Sequence, residues 1–407
     1  MMDSQSGRLQ IHIRRLNREH ILQHFQSIRH GELFPRWEFQ RRVQESRAER
    51  HARGFTCWGQ FVAMLFCQLG RAQSLREICD GLASCEGKLA HLGITRPSRS
   101  TLAYANAHRP WELYQQIFLD LLERCRQQGP LPKKFRFRNK LLSLDATVID
   151  LCASVFDWAR FRRSKGAVKI HMVLDHEGYL PHFAVITEGA VHESRIASTL
   201  QFDAGTIVVM DRGFTDYRLY HRWTEEGVFL VSRLKSNADY GVAEDRLVPE
   251  RGSILQDQII FWKSPRGHQD CPQFFRRIEV LRPETGDVLV LLTNHLTLGA
   301  TTIARIYKDR WQIELFFKAL KQNLKVKTFV GTSANALKIQ IWTALIAILM
   351  LKFLQLRSQW GWHLSNLSAL LRLNLFTHRN LWHWIDHPLD APPGAVPLVQ
   401  QLEFSYR

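Results

Sequence analysis

A chain of 407 residues is long enough for two or three domains and a sizeable core, and a composition 45% hydrophobic and 11% aromatic excludes a mostly disordered polymer. Fifty-five Lys and Arg against 38 Asp and Glu leave a net charge of +17, which draws the chain to polyanions such as nucleic acid or an anionic membrane surface. Seven cysteines, odd in number and without a Cys-x-x-Cys pair, argue against both a zinc ribbon and a disulfide framework.

The opening residues lack the apolar run of a signal peptide, so a reducing, cytoplasmic setting is expected. Residues 1–53 carry eleven Arg and no Lys, interleaved with Phe25, Phe34, Trp37 and Phe39. That mix suits a phosphate-gripping surface, because guanidinium groups bind phosphate in two-pronged fashion; a solvated helical face would read the same way. A helix follows at Trp58–Leu69. The segment from Ser74 to Tyr114 reads as two or three short helices broken at Gly81, at Gly93 and around Pro97, with Ser98 capping a helix that runs toward Arg109. A helix-turn-helix fits this pattern, with Arg99, Ser100, Tyr104, Asn106 and His108 as candidate base or phosphate contacts. Any small helical bundle fits it too.

From Leu141 the period changes. LLSLDATVIDL, AVKIHMVLD, LPHFAVITEG and TIVVMDRGF are successive strand candidates, followed by a helix from Asp216 to Glu226 and the strand VFLVSRLK, an alternation that indicates an α/β core with a mixed sheet. Between 237 and 298 the pieces are extended, with a hairpin turn at Glu284-Thr285-Gly286-Asp287. Two long helices are predicted at Thr301–Gln322 and Ala334–Leu356, then a peripheral tail from Trp382 that includes Pro-Pro-Gly. The most apolar stretch, Ile341–Leu351, is shorter than the ~20 residues that span a bilayer and reads as a buried helix, so no membrane partner is expected.

Three carboxylates stand out. Asp145 lies mid-strand in an apolar run, where an ionised group is costly unless a cation or donor compensates it. Asp211 ends the strand TIVVM, and strand ends in α/β sheets are where ligands bind. In the helix IYKDRWQIELFFKALKQNLK, Tyr307, Arg310, Glu314 and Lys321 fall at roughly 0°, 300°, 340° and 320° around the axis, one narrow stripe. Ile306, Ile313, Phe317 and Leu320 flank it on one side and Trp311 and Leu315 on the other, so the stripe is predicted to point inward. Taken alone, Arg310 and Glu314 could be an i, i+4 ion pair on a solvated face. Together, two strand carboxylates and one helix carboxylate suit a pair of divalent ions about 3.5–4 Å apart. Oxygen-only ligation favours Mg²⁺, or Mn²⁺, over zinc, and Tyr307, Arg310 and Lys321 would hold strand phosphates.

The segments LLSLDATVIDL and VVMDRGF and the pattern Tyr-x2-Arg-x3-Glu-x6-Lys resemble the three acidic motifs of bacterial insertion-sequence transposases, in the family named after insertion sequence four. The resemblance is strongest over 141–325. It implies an RNase H-like catalytic core (136–236 and 299–360) interrupted by a β-rich insertion (237–298), preceded by a helical DNA-binding domain (1–135) and followed by a tail (361–407). It further implies a nucleoid-associated homodimer that cuts double-stranded DNA at paired inverted repeats, through hairpin ends, and joins 3′-hydroxyls to target DNA. Asp145, Asp211 and Glu314 match the metal ligands; Tyr307, Arg310 and Lys321 match strand-contacting positions. Trp262 is the candidate for the insertion's aromatic that stacks on a flipped base. Lys165, Lys169, His171 and His192 lie in similar spacers and could reach DNA or the metal site, although a structural or solvent-exposed role is the favoured reading of each. A nuclease without strand transfer, or a DNA-binding protein that has lost catalysis, would retain much of the same pattern.

Overall fold

The computed structural model describes residues 35–390 apart from 51, 53, 86–87, 128–132, 152–155, 157–159, 163–164, 249, 251, 324–328 and 376–379. The arginine-rich stretch 1–34, with Phe25 and Phe34, and the Pro-Pro-Gly of the tail lie outside the described residues.

Helices come first: α1 (Arg36–Glu45), α2 (Cys57–Leu69), α3 (Leu75–Ser84), α4 (Arg99–His108) and α5 (Glu112–Arg126). Ser98 does cap α4, accepting the Thr101 amide at 3.1 Å. Gly93 (φ +64°) takes the left-handed turn expected of it. Gly81 does not break a helix. It lies inside α3, where a Cβ would meet the Phe66 ring at 2.7 Å, so this glycine permits close packing rather than a turn.

A ten-stranded sheet follows. Its strands are β1 (Leu141–Leu151), β2 (Arg160–Arg162), β3 (Lys165–Asp175), β4 (Leu180–Glu188), β5 (Ile207–Met210), β6 (Phe229–Arg233), β7 (Tyr240–Asp245), β8 (Ile254–Trp262), β9 (Phe275–Leu281) and β10 (Val288–Thr293). The order is β2-β3-β1-β5-β6-β10-β9-β8-β7, with β4 also paired to β3. β3 runs antiparallel to β1, whereas β1, β5 and β6 are parallel. The extended pieces of 237–298 are thus β-rich as predicted, and they continue the same sheet. Their β9–β10 hairpin closes through Gly286 at φ +74°.

Helices cover both faces of the sheet. On one, α6 (Glu193–Ala197), α7 (Tyr217–Glu225) and α8 (Pro265–Asp270) enclose Leu142, Leu144, Met210, Leu219, Tyr220 and Trp223. On the other, α9 (Ala300–Asp309) seals Leu141, Ile207, Val209 and Val231 with Ile303, Ile306 and Tyr307. The predicted single helix 301–322 is two, α9 and α10 (Trp311–Asn323), divided at Arg310, where i→i−3 bonds (Arg310 N–H to Tyr307 C=O, Ile313 N–H to Arg310 C=O) replace the α-helical pattern.

The last helices are α11 (Ala334–Arg357), α12 (Leu364–Leu373) and α13 (Leu381–Asp386). α11 is long and apolar enough to cross a membrane by length and composition, yet 78% of its most apolar window is buried inside the protein. It packs against α2, α4 and α5, so the N-terminal helices share one core with α10–α13. A helix apolar on all sides needs cover on all sides, and the N-terminal helices supply it. The tail from Trp382 is less peripheral than predicted, since Trp384 and Ile385 are buried. Trp342, at the centre of α11, lies 5.2 Å from the Phe118 ring and 6.5 Å from Trp111. Trp342→Ala is expected to destabilise this helical layer by about 3–5 kcal/mol, read as a lowered urea midpoint.

Candidate active site

Strand register brings the two aspartates together. The parallel β1–β5 pairing ends at Leu144 opposite Met210, so Asp145 and Asp211 are the next residues on adjacent strands. Neighbouring strands lie about 4.8 Å apart. Side chains alternate along a strand, and Asp145 shares its face with Leu141 and Asp211 with Val209; both belong to the face covered by α9.

The α9–α10 pair delivers the rest. The Tyr307 hydroxyl donates to Asp211 Oδ1 at 3.3 Å. Arg310 Nη2 donates to Glu314 Oε1 at 2.7 Å, and its Nη1 lies 3.6 Å from Asp145 Oδ2. The guanidinium therefore lies between the strand carboxylate and the helix carboxylate. Its Nε is buried without a partner. Of the predicted flanks, Ile306, Ile313, Phe317 and Leu320 are core, whereas Trp311 and Leu315 are exposed. The stripe consequently lies at the boundary between core and solvent and does not point wholly inward. Lys321 donates from Nζ to the Val148 carbonyl at 2.8 Å, further along β1.

Burial raises Asp145 to about 6, opposed by the Ala146 amide and Arg310 and reinforced by Glu314 and Asp211. Tyr307 is pushed up to about 12, chiefly by burial. Among the described residues no group of three or more His, Cys, Asp or Glu stands ready to hold a metal ion, and Arg310 occupies the space between two of the candidate ligands. The donor set nonetheless fits a hard divalent cation: three carboxylates supply oxygen only, and the Asp145 charge, disfavoured first by burial and then by Glu314 and Asp211, would be favoured by added positive charge.

The remaining predicted residues are placed as follows. Lys169 bonds the Val191 carbonyl at 3.1 Å and lies 3.4 Å from Glu193. His171 is fully buried against Thr187 and pushed down to about 4, chiefly by burial. His192 caps α6. These are structural contacts; the side chain of Lys165 lies outside the described residues. Trp262 is 2% exposed, packed 4.5 Å from Tyr217 and 5.7 Å from Phe275, and is not brought to the carboxylates. Arg99 is exposed at the start of α4 and lines a cleft with Arg76 and Arg96. Asn106 is not a surface contact: it is buried and accepts from Gln60 at 2.8 Å. Sequence reasoning missed Asp309, His176 and Ser143, a buried polar chain beside the stripe. The one available signal was an acidic residue immediately before Arg310.

The Transposase DDE domain family matches residues 136–350, and a domain of unknown function, DUF4372, matches residues 29–95. "Putative transposase y4zB" of Sinorhizobium fredii is 30% identical over 74% of this chain and 82% of its own length. "Probable transposase for insertion sequence element IS5377" of Geobacillus stearothermophilus is 27% identical over 69% and 74%. A solved piggyBac transposase synaptic complex with hairpin DNA is similar at a TM-score of 0.40 and 11% identity, covering 83% of this chain and 73% of that one.

Proposed function

The chain belongs to the DDE-domain transposase family, and on that premise we propose that it binds the terminal inverted repeats of its own element as a homodimer, cleaves the DNA strands and joins their 3′-hydroxyl ends to target DNA. The observation that carries this reading is Arg310 placed between Asp145, mid-strand on β1, and Glu314, in the first turn of α10, with Asp211 just past the end of the adjacent β5 and accepting from Tyr307.

Asp145, Asp211 and Glu314 would hold Mg²⁺, or Mn²⁺. Such ions, when bound, activate a water or 3′-hydroxyl and stabilise the leaving oxygen of a phosphodiester. Arg310 then leaves the two carboxylates and takes a strand phosphate, a planar two-pronged partner for a guanidinium. The Tyr307 hydroxyl, now on Asp211, would meet the same strand, and Lys321, bonded to the Val148 carbonyl, would extend the cationic edge along β1. The order β4-β3-β1-β5-β6, with β3 antiparallel, supports an RNase H-like core; β7–β10 would be the insertion and the N-terminal helices the DNA-binding part. Hairpin ends belong to the same proposal, although Trp262 would have to leave its core position to stack on a base.

The test is Mg²⁺-dependent cleavage of a DNA fragment carrying the inverted repeats that flank the gene. Cutting at the repeat boundary, with hairpin or joined products, is expected. Cutting without joining would reduce the reading to a nuclease, and binding without cutting would reduce it to a DNA-binding relic. Arg99→Ala is expected to weaken repeat binding several-fold and to lower the magnitude of the salt slope by about one, read by binding titrations across a salt series.

A further inference from the structure

A buried polar chain runs from β1 to the break between α9 and α10. Ser143, on the same strand face as Asp145 and two residues before it, lies 2.6 Å from His176 Nε2. His176 Nδ1 lies 2.7 Å from Asp309 Oδ2. Asp309 also accepts from the Tyr179 hydroxyl at 3.1 Å and from the Lys134 ammonium. The Asp309 side chain is 1% exposed and His176 4%, whereas Lys134 reaches in from a half-exposed position. An acceptor-only carboxylate places a proton on Nδ1, and in the neutral ring Nε2 then accepts from the Ser143 hydroxyl.

The order Ser-His-Asp is that of a nucleophilic triad, but Ser143 is fully buried in the middle of a sheet and no substrate carbonyl could reach it. The chain's position suggests a different use. Asp309 is the last residue of α9, immediately before Arg310, where the helix switches to i→i−3 bonds. His176 and Tyr179 come from the β3–β4 turn, which sets Tyr179 at φ +53°, a left-handed conformation costly for a residue with a side chain. The turn bears that strain while aiming two donors at one carboxylate.

We propose that Asp309 is a positioning residue: anchored through His176 to Ser143, it fixes the break at Arg310 and so sets how Arg310 and Glu314 face Asp145. The inference rests on the metal-dependent reading of those carboxylates. Loss of the anchor leaves the three carboxylates in the chain but lets α10 pivot relative to β1, which weakens their joint hold on a divalent ion more than it weakens DNA-end binding.

The experiment compares the full-length wild type with Asp309→Asn and Tyr179→Phe, the second removing one hydroxyl should the first fail to fold. Hydrogen exchange over residues 306–316 and the Mg²⁺ concentration that half-saturates cleavage are measured beside repeat binding. Expected are faster exchange confined to that segment, an increase of about tenfold in half-saturating Mg²⁺ for Asp309→Asn and about threefold for Tyr179→Phe, and repeat binding within twofold. Unchanged exchange and unchanged half-saturation in the folded variants would overturn the proposal, as would a rate lowered only in proportion to the folded fraction. Should the wild type show no Mg²⁺ dependence while exchange at the break still rises in the variants, the positioning role stands and the metal reading falls.

Discussion

Glu314→Ala is expected to lower Mg²⁺-dependent strand cleavage by at least ~10³-fold, about 4 kcal/mol of transition-state stabilisation, while repeat binding changes by less than about threefold. The asymmetry follows from the contacts. Glu314 is a carboxylate about one-third exposed, paired with Arg310 one turn earlier on the helical path, and such i, i+4 pairs contribute only about 0.3–0.5 kcal/mol to stability. Its removal leaves Ile313 and Phe317 in the core and Arg310 still beside Asp145, so the thermal midpoint should barely move. What is lost is the helix's contribution to the proposed three-carboxylate donor set. Glu314→Gln, which preserves volume and a hydrogen-bond acceptor but not the charge, should lose cleavage to a similar degree. Wild-type rates in either variant would remove Glu314 from the chemistry. Loss of repeat binding together with cleavage would instead point to damage to the fold or to dimerisation.

The strands, with Asp145 mid-strand and Asp211 just past a strand end, were legible because period-two alternation and β-branched runs are local properties: β1 is expected from LLSLDATVIDL and observed over Leu141–Leu151. The Ser98 cap and the hairpin at Gly286 were legible for the same reason. The break at Arg310 was not. Residues 305–315 contain neither Gly nor Pro, and nothing local divides the helix; the residue that ends α9 is held by His176, Tyr179 and Lys134, each more than a hundred residues away in the chain. Gly81 and Asn106 misled in the opposite direction. A glycine in a polar segment looks like a turn until the Phe66 ring is seen against it, and an asparagine on a helix looks like a surface contact until Gln60 is found bonded to it. Trp262 shows the general limit: a tryptophan at a strand end reads alike whether it faces solvent or core, and only the packing of Tyr217 and Phe275 around it decides.

Asp145→Asn should stabilise the metal-free protein at pH 7.5 while removing its response to Mg²⁺. The Asp145 carboxyl is raised from its ordinary 3.8 to about 6, first by burial, and Arg310's attraction is already part of that balance. A shift of this size corresponds to about 3 kcal/mol at most, since each unit is worth about 1.4 kcal/mol. Between the two values the folded protein keeps a proton that the unfolded chain releases, so stability falls as pH rises through that window and stays low above about 6. A neutral Asn escapes the penalty. The gain of the variant over wild type, read as thermal midpoint, should therefore be a few degrees at pH 7.5, roughly 2–6 °C, and shrink toward zero near pH 4. Mg²⁺ should reverse the ranking at pH 7.5, because ligand that binds only the folded state raises its stability and the variant has lost a ligand. A midpoint difference that ignores pH would show that Asp145 does not bear this burial penalty, and a variant that Mg²⁺ stabilises as fully as wild type would remove it from the metal ligands.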